Sequence, residues 1–229
     1  MKNLITIFLI ILIIGCDENP KKISHIPQNN ITPTPKEIKY LSNEECLKLP
    51  TDVKVYSPDE SLIPIATIFV EQLNQLDLKH QLSFEEEANA NISLLLDDKL
   101  EAEEFNIITG QKILISGGSY KAISLAMTSL LHLIEKKDDH TLLPIVKIRD
   151  YPDATFRGLL IDLARRWHSI KTLKKLVDMS AFYKLNYMQL HLTDDQSFTF
   201  PSKAYPKLAT KDRHYSKEEL VDLVNYAEL

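Results

Sequence analysis

Two apolar runs that each end in charge, Gly158-Leu159-Leu160-Ile161-Asp162-Leu163-Ala164-Arg165 and Tyr187-Met188-Gln189-Leu190-His191-Leu192-Thr193-Asp194-Asp195, constrain this chain more than any other feature. A strand buried on both faces stays apolar until it reaches the rim where side chains meet a ligand. Residues 156–163 and 186–192 are therefore the expected strands. The stretch between them is long enough for a crossover helix, so the strands should be parallel and joined by a right-handed turn. That helix should begin with Ser169 as its N-cap, with Ile170, Leu173, Leu176, Val177 and Ala181 along one face. A second helix is expected from Ser216, where Ser216-Lys217-Glu218-Glu219 has the form of a capping box.

Upstream, strands and helices mix in an order that suggests a small α+β domain. Ile65, Ile68, Phe69, Leu73 and Leu76 fall at helical spacing behind Pro64, which suits a first turn. Residues 91–96 read as a strand. Residues 105–108 and 112–116 read as a hairpin about Thr109-Gly110-Gln111, with Gly110 expected to supply a positive φ. Residues 119–136 form the expected last helix of this domain, after a turn at Gly117-Gly118, and 143–152 a connection into the second domain.

With 229 residues, 44% of them hydrophobic, the chain can bury a sizeable core. A formal charge of −5 with scattered Lys and Arg gives no electrostatic footprint for nucleic acid. Lys2, the apolar run Leu4 to Ile14 and a small Gly15 have the order of an export signal, residues 1–15. Ile13-Ile14-Gly15-Cys16 looks like a bacterial lipobox, so Cys16 is the expected lipidation site and the chain is expected at a membrane in the cell envelope. Cys46 stands in a different context, and no disulfide framework is expected. Residues 16–35, rich in Asn, Pro, Lys and Thr, read as a tether.

Taken as bare residues, Asp194 and Asp195 could act as acid and base, bind a metal with His191, or cap a turn. Arg157, taken alone, reads most simply as paired with a neighbouring carboxylate. Phe198, Phe200 and Tyr205 could offer a flat face to a ligand or simply pack their loop.

The two strand motifs, with Ile31-Thr32-Pro33-Thr34-Pro35-Lys36, Gly118-Ser119-Tyr120 and Leu130-Leu131-His132-Leu133, resemble family 20 glycoside hydrolases, the β-N-acetylhexosaminidases. The resemblance implies an α+β N-terminal domain over 36–149, then the first two βα units of an incomplete (β/α)8 TIM barrel over 150–229. It implies hydrolysis of terminal β-linked N-acetylglucosamine or N-acetylgalactosamine with retention, without cofactor or metal. The attacking atom is the substrate's own acetamido oxygen, an exception to two-carboxylate hydrolysis. It assigns Arg157, Asp194 and Asp195 to substrate binding. Asp194 would support the acid by hydrogen bonding a downstream His. Asp162 and Arg165 match the family's Asp-x-x-Arg pattern and read as mainly structural; Arg166 and Trp167 depart from the residues usual there. No residue matches the catalytic Asp-Glu pair, so the chain is expected to be a portion of a longer hexosaminidase and inactive alone. A lipid-anchored, non-catalytic glycan-binding protein is the alternative.

Overall fold

The computed structural model describes residues 30–228. Its elements run β1 (Glu37–Tyr40), β2 (Cys46–Leu49), β3 (Asp52–Tyr56), α1 (Ile63–Gln75), β4 (Gln81–Phe84), β5 (Ile92–Leu96), β6 (Phe105–Thr109), β7 (Ile113–Gly117), α2 (Tyr120–Leu133), β8 (Glu135–Lys137), β9 (His140–Pro144) and β10 (Val146–Asp150). Then follow β11 (Gly158–Asp162), α3 (Ile170–Phe182), β12 (Tyr187–His191) and α4 (Lys217–Ala227). Cys16 and the export signal lie outside the described residues.

Alternation of apolar and polar residues gives the N-terminal region a single buried sheet face. Phe105, Ile107, Ile113 and Ile115 point into the core from the β6–β7 hairpin, and Ile92 and Leu94 join them from β5. The seven strands lie in the order β1-β10-β6-β7-β5-β3-β4, antiparallel from β1 to β7 and parallel from β7 to β4. The helices α1 and α2 cover that face with Phe69, Leu73, Ile123, Met127 and Leu130, each worth about 1.5–3 kcal/mol of burial. Ser119 caps α2 by accepting the Ala122 N–H. A Cβ on Gly118 would lie 2.0 Å from the Glu101 carbonyl oxygen, so the loop can pass only a glycine there. A smaller antiparallel sheet, β2-β9-β8, stands beside it.

Several expectations need correction. Ile31 is 4% exposed and belongs to the core, so the tether cannot extend to residue 35. The segment 143–152 is no mere connection: it contains β10, which is paired on both sides, by β1 and β6. The helix α2 stops at Leu133, because Ile134 turns extended and the chain enters β8. No glycine among the described residues has a positive φ, so the hairpin turn closes without one, through a Gly110 N–H bond to the Lys112 oxygen at 3.0 Å.

In the C-terminal region β11 and β12 pair in parallel, from Gly158 opposite Tyr187 to Asp162 opposite His191. Leu163, Leu173, Tyr215 and Leu223 form a separate core, with Ile161, Leu190 and Leu192 packed against it from the strands. Period-two alternation then turns Leu160, Asp162, Gln189 and His191 to the opposite face. Both helices start as read: Ser169 accepts the Thr172 N–H, and Ser216 and Glu219 form a full capping box.

Polar contacts hold the two regions together at the amino ends of β11 and β12. Lys184, at φ 58° just past α3, is 6% exposed and gives its ammonium to Asp150 at 3.2 Å. The His132 ring of α2 donates to the Phe182 carbonyl at 2.9 Å and packs edge-on against the Phe182 ring.

Candidate active site

In parallel α/β sheets, ligands are bound outside the carboxyl ends of the strands. Four polar residues meet there. Asp162 and His191 close β11 and β12 in register, while Arg165 and Asp194 lie three residues beyond them. The Arg165 guanidinium reaches Asp194 at 2.9 Å and Asp162 at 3.4 Å, and its side chain remains 61% exposed. Asp162 also accepts the Arg165 backbone N–H at 2.9 Å, so one carboxylate holds both the turn and the side chain. His191 Nε2 stands 3.6 Å from Asp194, too far for a hydrogen bond.

The loop that presents Asp194 is pinned from several sides. Asp194 N–H donates to the Ser197 oxygen at 2.9 Å, and the Ser197 hydroxyl donates to the Ala164 oxygen. Thr199 bonds back to the Leu192 carbonyl at 2.8 Å. Hydrogen bonding with Asp195, followed by the Arg165 charge, holds the Asp194 carboxyl below the usual carboxylate range. Asp194 in turn pushes Asp195 above it, first by that hydrogen bond and then by like charge. Two neighbouring carboxylates thus differ in proton affinity, the arrangement from which acid and base roles are made.

Arg157 is elsewhere. It immediately precedes β11, about 16 Å of strand away from Asp162 at roughly 3.3 Å per residue. Its guanidinium is 14% exposed and meets Glu103 through both terminal nitrogens, at 2.8 and 3.3 Å. The remaining donors go to the Lys184 oxygen at 2.8 Å and the Ala154 oxygen at 2.6 Å. The structure therefore brings Asp194 and Asp195 together but leaves Arg157 at the opposite end, paired to a neighbouring carboxylate. The residue set aside as structural, Arg165, is the arginine beside Asp194. Strand direction was the signal that could have found it, because Arg165 follows the strand and Arg157 precedes it.

Phe200 lines an apolar groove of about 850 Å³ with Pro201, Tyr215, Leu220 and Val224, none of them belonging to the Arg165 cluster. Tyr205 is 68% exposed and Phe198 half-buried. Trp167 Nε1 and His191 Nε2 are buried without a hydrogen-bond partner among the described residues. No group of three metal-ligating side chains occurs among the described residues.

Two family models match the chain: glycosyl hydrolase family 20, domain 2, over residues 28–151, and glycosyl hydrolase family 20, catalytic domain, over residues 155–229. A beta-hexosaminidase of Porphyromonas gingivalis is 31% identical over 192 residues, which cover 73% of this chain and 25% of that protein. A beta-hexosaminidase of Akkermansia muciniphila is 39% identical over 98 residues, covering 37% of this chain and 20% of its own. The chain thus spans about a quarter or less of the length of these curated relatives. Among solved structures, the beta-N-acetylhexosaminidase of Bacteroides fragilis superposes with a TM-score of 0.75 at 25% identity, over 87% of this chain and 43% of that one. The exo beta-N-acetylglucosaminidase of Vibrio harveyi in complex with N-acetylglucosamine shares the fold, with a TM-score of 0.78 at 22% identity, over 91% of this chain and 35% of that one.

Proposed function

The chain belongs to glycosyl hydrolase family 20, and on that premise we propose that it forms the N-terminal domain and the first two βα units of the eightfold barrel of a β-N-acetylhexosaminidase. The proposed reaction releases terminal β-linked N-acetylglucosamine or N-acetylgalactosamine with retention, the substrate's acetamido group attacking its own anomeric carbon. The observation that carries the site assignment is Arg165 held between Asp162 and Asp194 at the carboxyl end of the parallel pair. Three of its five N–H donors are free of these contacts, and a planar fork suits two adjacent sugar hydroxyls. Sugar binding is accordingly assigned to Arg165, with Asp194 and Asp195 beside it. Arg157 takes the structural role. Asp194, already low in proton affinity, stays anionic and can steady a protonated group of the acid apparatus. That apparatus, an Asp-Glu pair, is proposed to come from polypeptide other than these 229 residues.

Export and lipidation at Cys16 belong to the proposal and are supported by the sequence motif alone. Fatty-acid labelling that persisted in Cys16→Ser would overturn them. Hydrolysis of an aryl β-N-acetylglucosaminide by the full-length protein, with no turnover by residues 1–229, is the expected result. Saturable N-acetylglucosamine binding with no hydrolysis at either length would replace the enzyme by a lipid-anchored glycan-binding protein.

A further inference from the structure

We infer that His132 is a pH-sensitive latch, which fastens the segment Asn30–Lys36 to the junction between the N-terminal and C-terminal regions and releases it on acidification. Such a latch would work whether or not the protein hydrolyses a glycoside. His132 lies in the last turn of α2 and is 7% exposed. Its Nδ1 accepts the Thr32 backbone N–H at 3.2 Å, and its Nε2 faces the Phe182 carbonyl at 2.9 Å. These partners settle the protonation state. Thr32 N–H can only donate and the Phe182 oxygen can only accept, so the ring must be neutral, with its proton on Nε2. A second proton, on Nδ1, would point at the Thr32 N–H and leave that amide without an acceptor.

A second buried imidazole shows what this arrangement excludes. His80 faces the Pro50 carbonyl at 2.9 Å and the Thr141 hydroxyl at 2.9 Å, and both can accept. Neither His80 contact requires the ring nitrogen to act as an acceptor. The Thr32 contact of His132 does.

The surroundings of His132 act in the same direction. The charged group facing it is the Lys184 ammonium, from the turn after α3, whose own partner Asp150 in β10 also accepts the Lys36 backbone N–H at 3.2 Å. From α3 the ring meets the Phe182 side chain and carbonyl, and from the segment itself the Thr32 amide. Burial first, then Lys184, lowers the His132 pKa below its ordinary 6.5, against the small opposing effect of the Phe182 bond. The folded value lies below the unfolded one, so the latch contributes fully above about 6.5. Its contribution is lost as the pH falls through the lowered value.

Release would uncover Ile31, which the segment inserts into the core. The test is amide hydrogen exchange by mass spectrometry on the full-length protein at pH 7.5 and at a pH below the His132 midpoint measured by imidazole titration, read as protection corrected for intrinsic rate. The peptide covering Asn30–Lys36 is expected to lose at least tenfold in protection, while that covering Phe105–Gly117 holds. His132→Gln, whose amide can accept from Thr32 and donate to Phe182 at either pH, should keep the segment protected at both. Protection of Asn30–Lys36 that stays constant in the wild type, or falls equally in His132→Gln, would overturn the latch. If that variant does not fold, the wild-type imidazole titration decides. A His132 midpoint that does not coincide with the loss of protection would equally refute it.

Discussion

The Arg165 guanidinium and the Asp194 carboxylate meet at 2.9 Å across the carboxyl ends of β11 and β12, while Arg157 binds Glu103 at the other end of the same strand. Two arginines eight positions apart in sequence thus serve opposite ends of one element.

Their substitutions should separate cleanly. Under the proposed sugar-binding role, Arg165→Lys should weaken binding of N-acetylglucosamine by about 10- to 100-fold, the loss of one or two charge-assisted hydrogen bonds, with little change in melting temperature. Arg157→Lys should lower the melting temperature and leave KM within about twofold. Steady-state kinetics and calorimetry on both variants check this, and the reverse pattern would restore Arg157 to the site.

Glu103→Gln should destabilise the chain by about 2 kcal/mol, less than the roughly 3–5 of a fully buried pair because the partners are 14% and 23% exposed. Denaturant unfolding of Glu103→Gln, Arg157→Gln and the double variant forms the cycle. A coupling near zero would show that the contact contributes nothing.

The Asp194–Asp195 pair should titrate in two separated steps. Asp194 is held below 3.8 and contributes stability above that pH, lost as the pH falls through its lowered value. Asp195 is raised, so its contribution has the opposite sign, present below 3.8 and lost as the pH rises through its elevated value. Asp194→Asn should bring the Asp195 midpoint down, because the carboxylate that hydrogen-bonds its protonated form, and then the like charge, disappear. Carbon-detected carboxyl titrations would show it, and an unmoved Asp195 would mean the two do not interact.

Ser216→Ala should cost about 1 kcal/mol, since the Ser216 oxygen accepts the Glu219 N–H at 3.0 Å and Glu219 returns the bond at 2.8 Å. Exchange of the α4 amides should rise before that of the seven-stranded sheet. Equal acceleration in both would mean that α4 unfolds only with the whole chain.

Residues whose role is set by near neighbours were legible in the sequence. Ser169 and Ser216 announced their helices because a cap is a local hydrogen bond, and β11 and β12 showed because apolar runs between charged ends have few other uses. The strand β10 did not show, since its place between β1 and β6 depends on residues more than 30 positions away. Ile31 was hidden for the same reason: only the folded domain reveals that a residue among Asn, Thr and Pro is buried. The Arg157 contact was hidden because its partner Glu103 lies 54 residues away in the N-terminal region, whereas strand direction alone separates Arg157, before β11, from Arg165, after it.

Lys184 is a site where backbone and side chain favour different residues. Its φ of 58° suits glycine, which would remove about 1 kcal/mol of left-handed strain. Glycine would also strip Asp150 of its ammonium at 3.2 Å and leave a buried carboxylate with backbone N–H partners but no countercharge. A stability-guided library would therefore meet a rugged position here, where the change that relaxes the turn loosens the joint, and gains from glycine should appear only in variants that also neutralise Asp150.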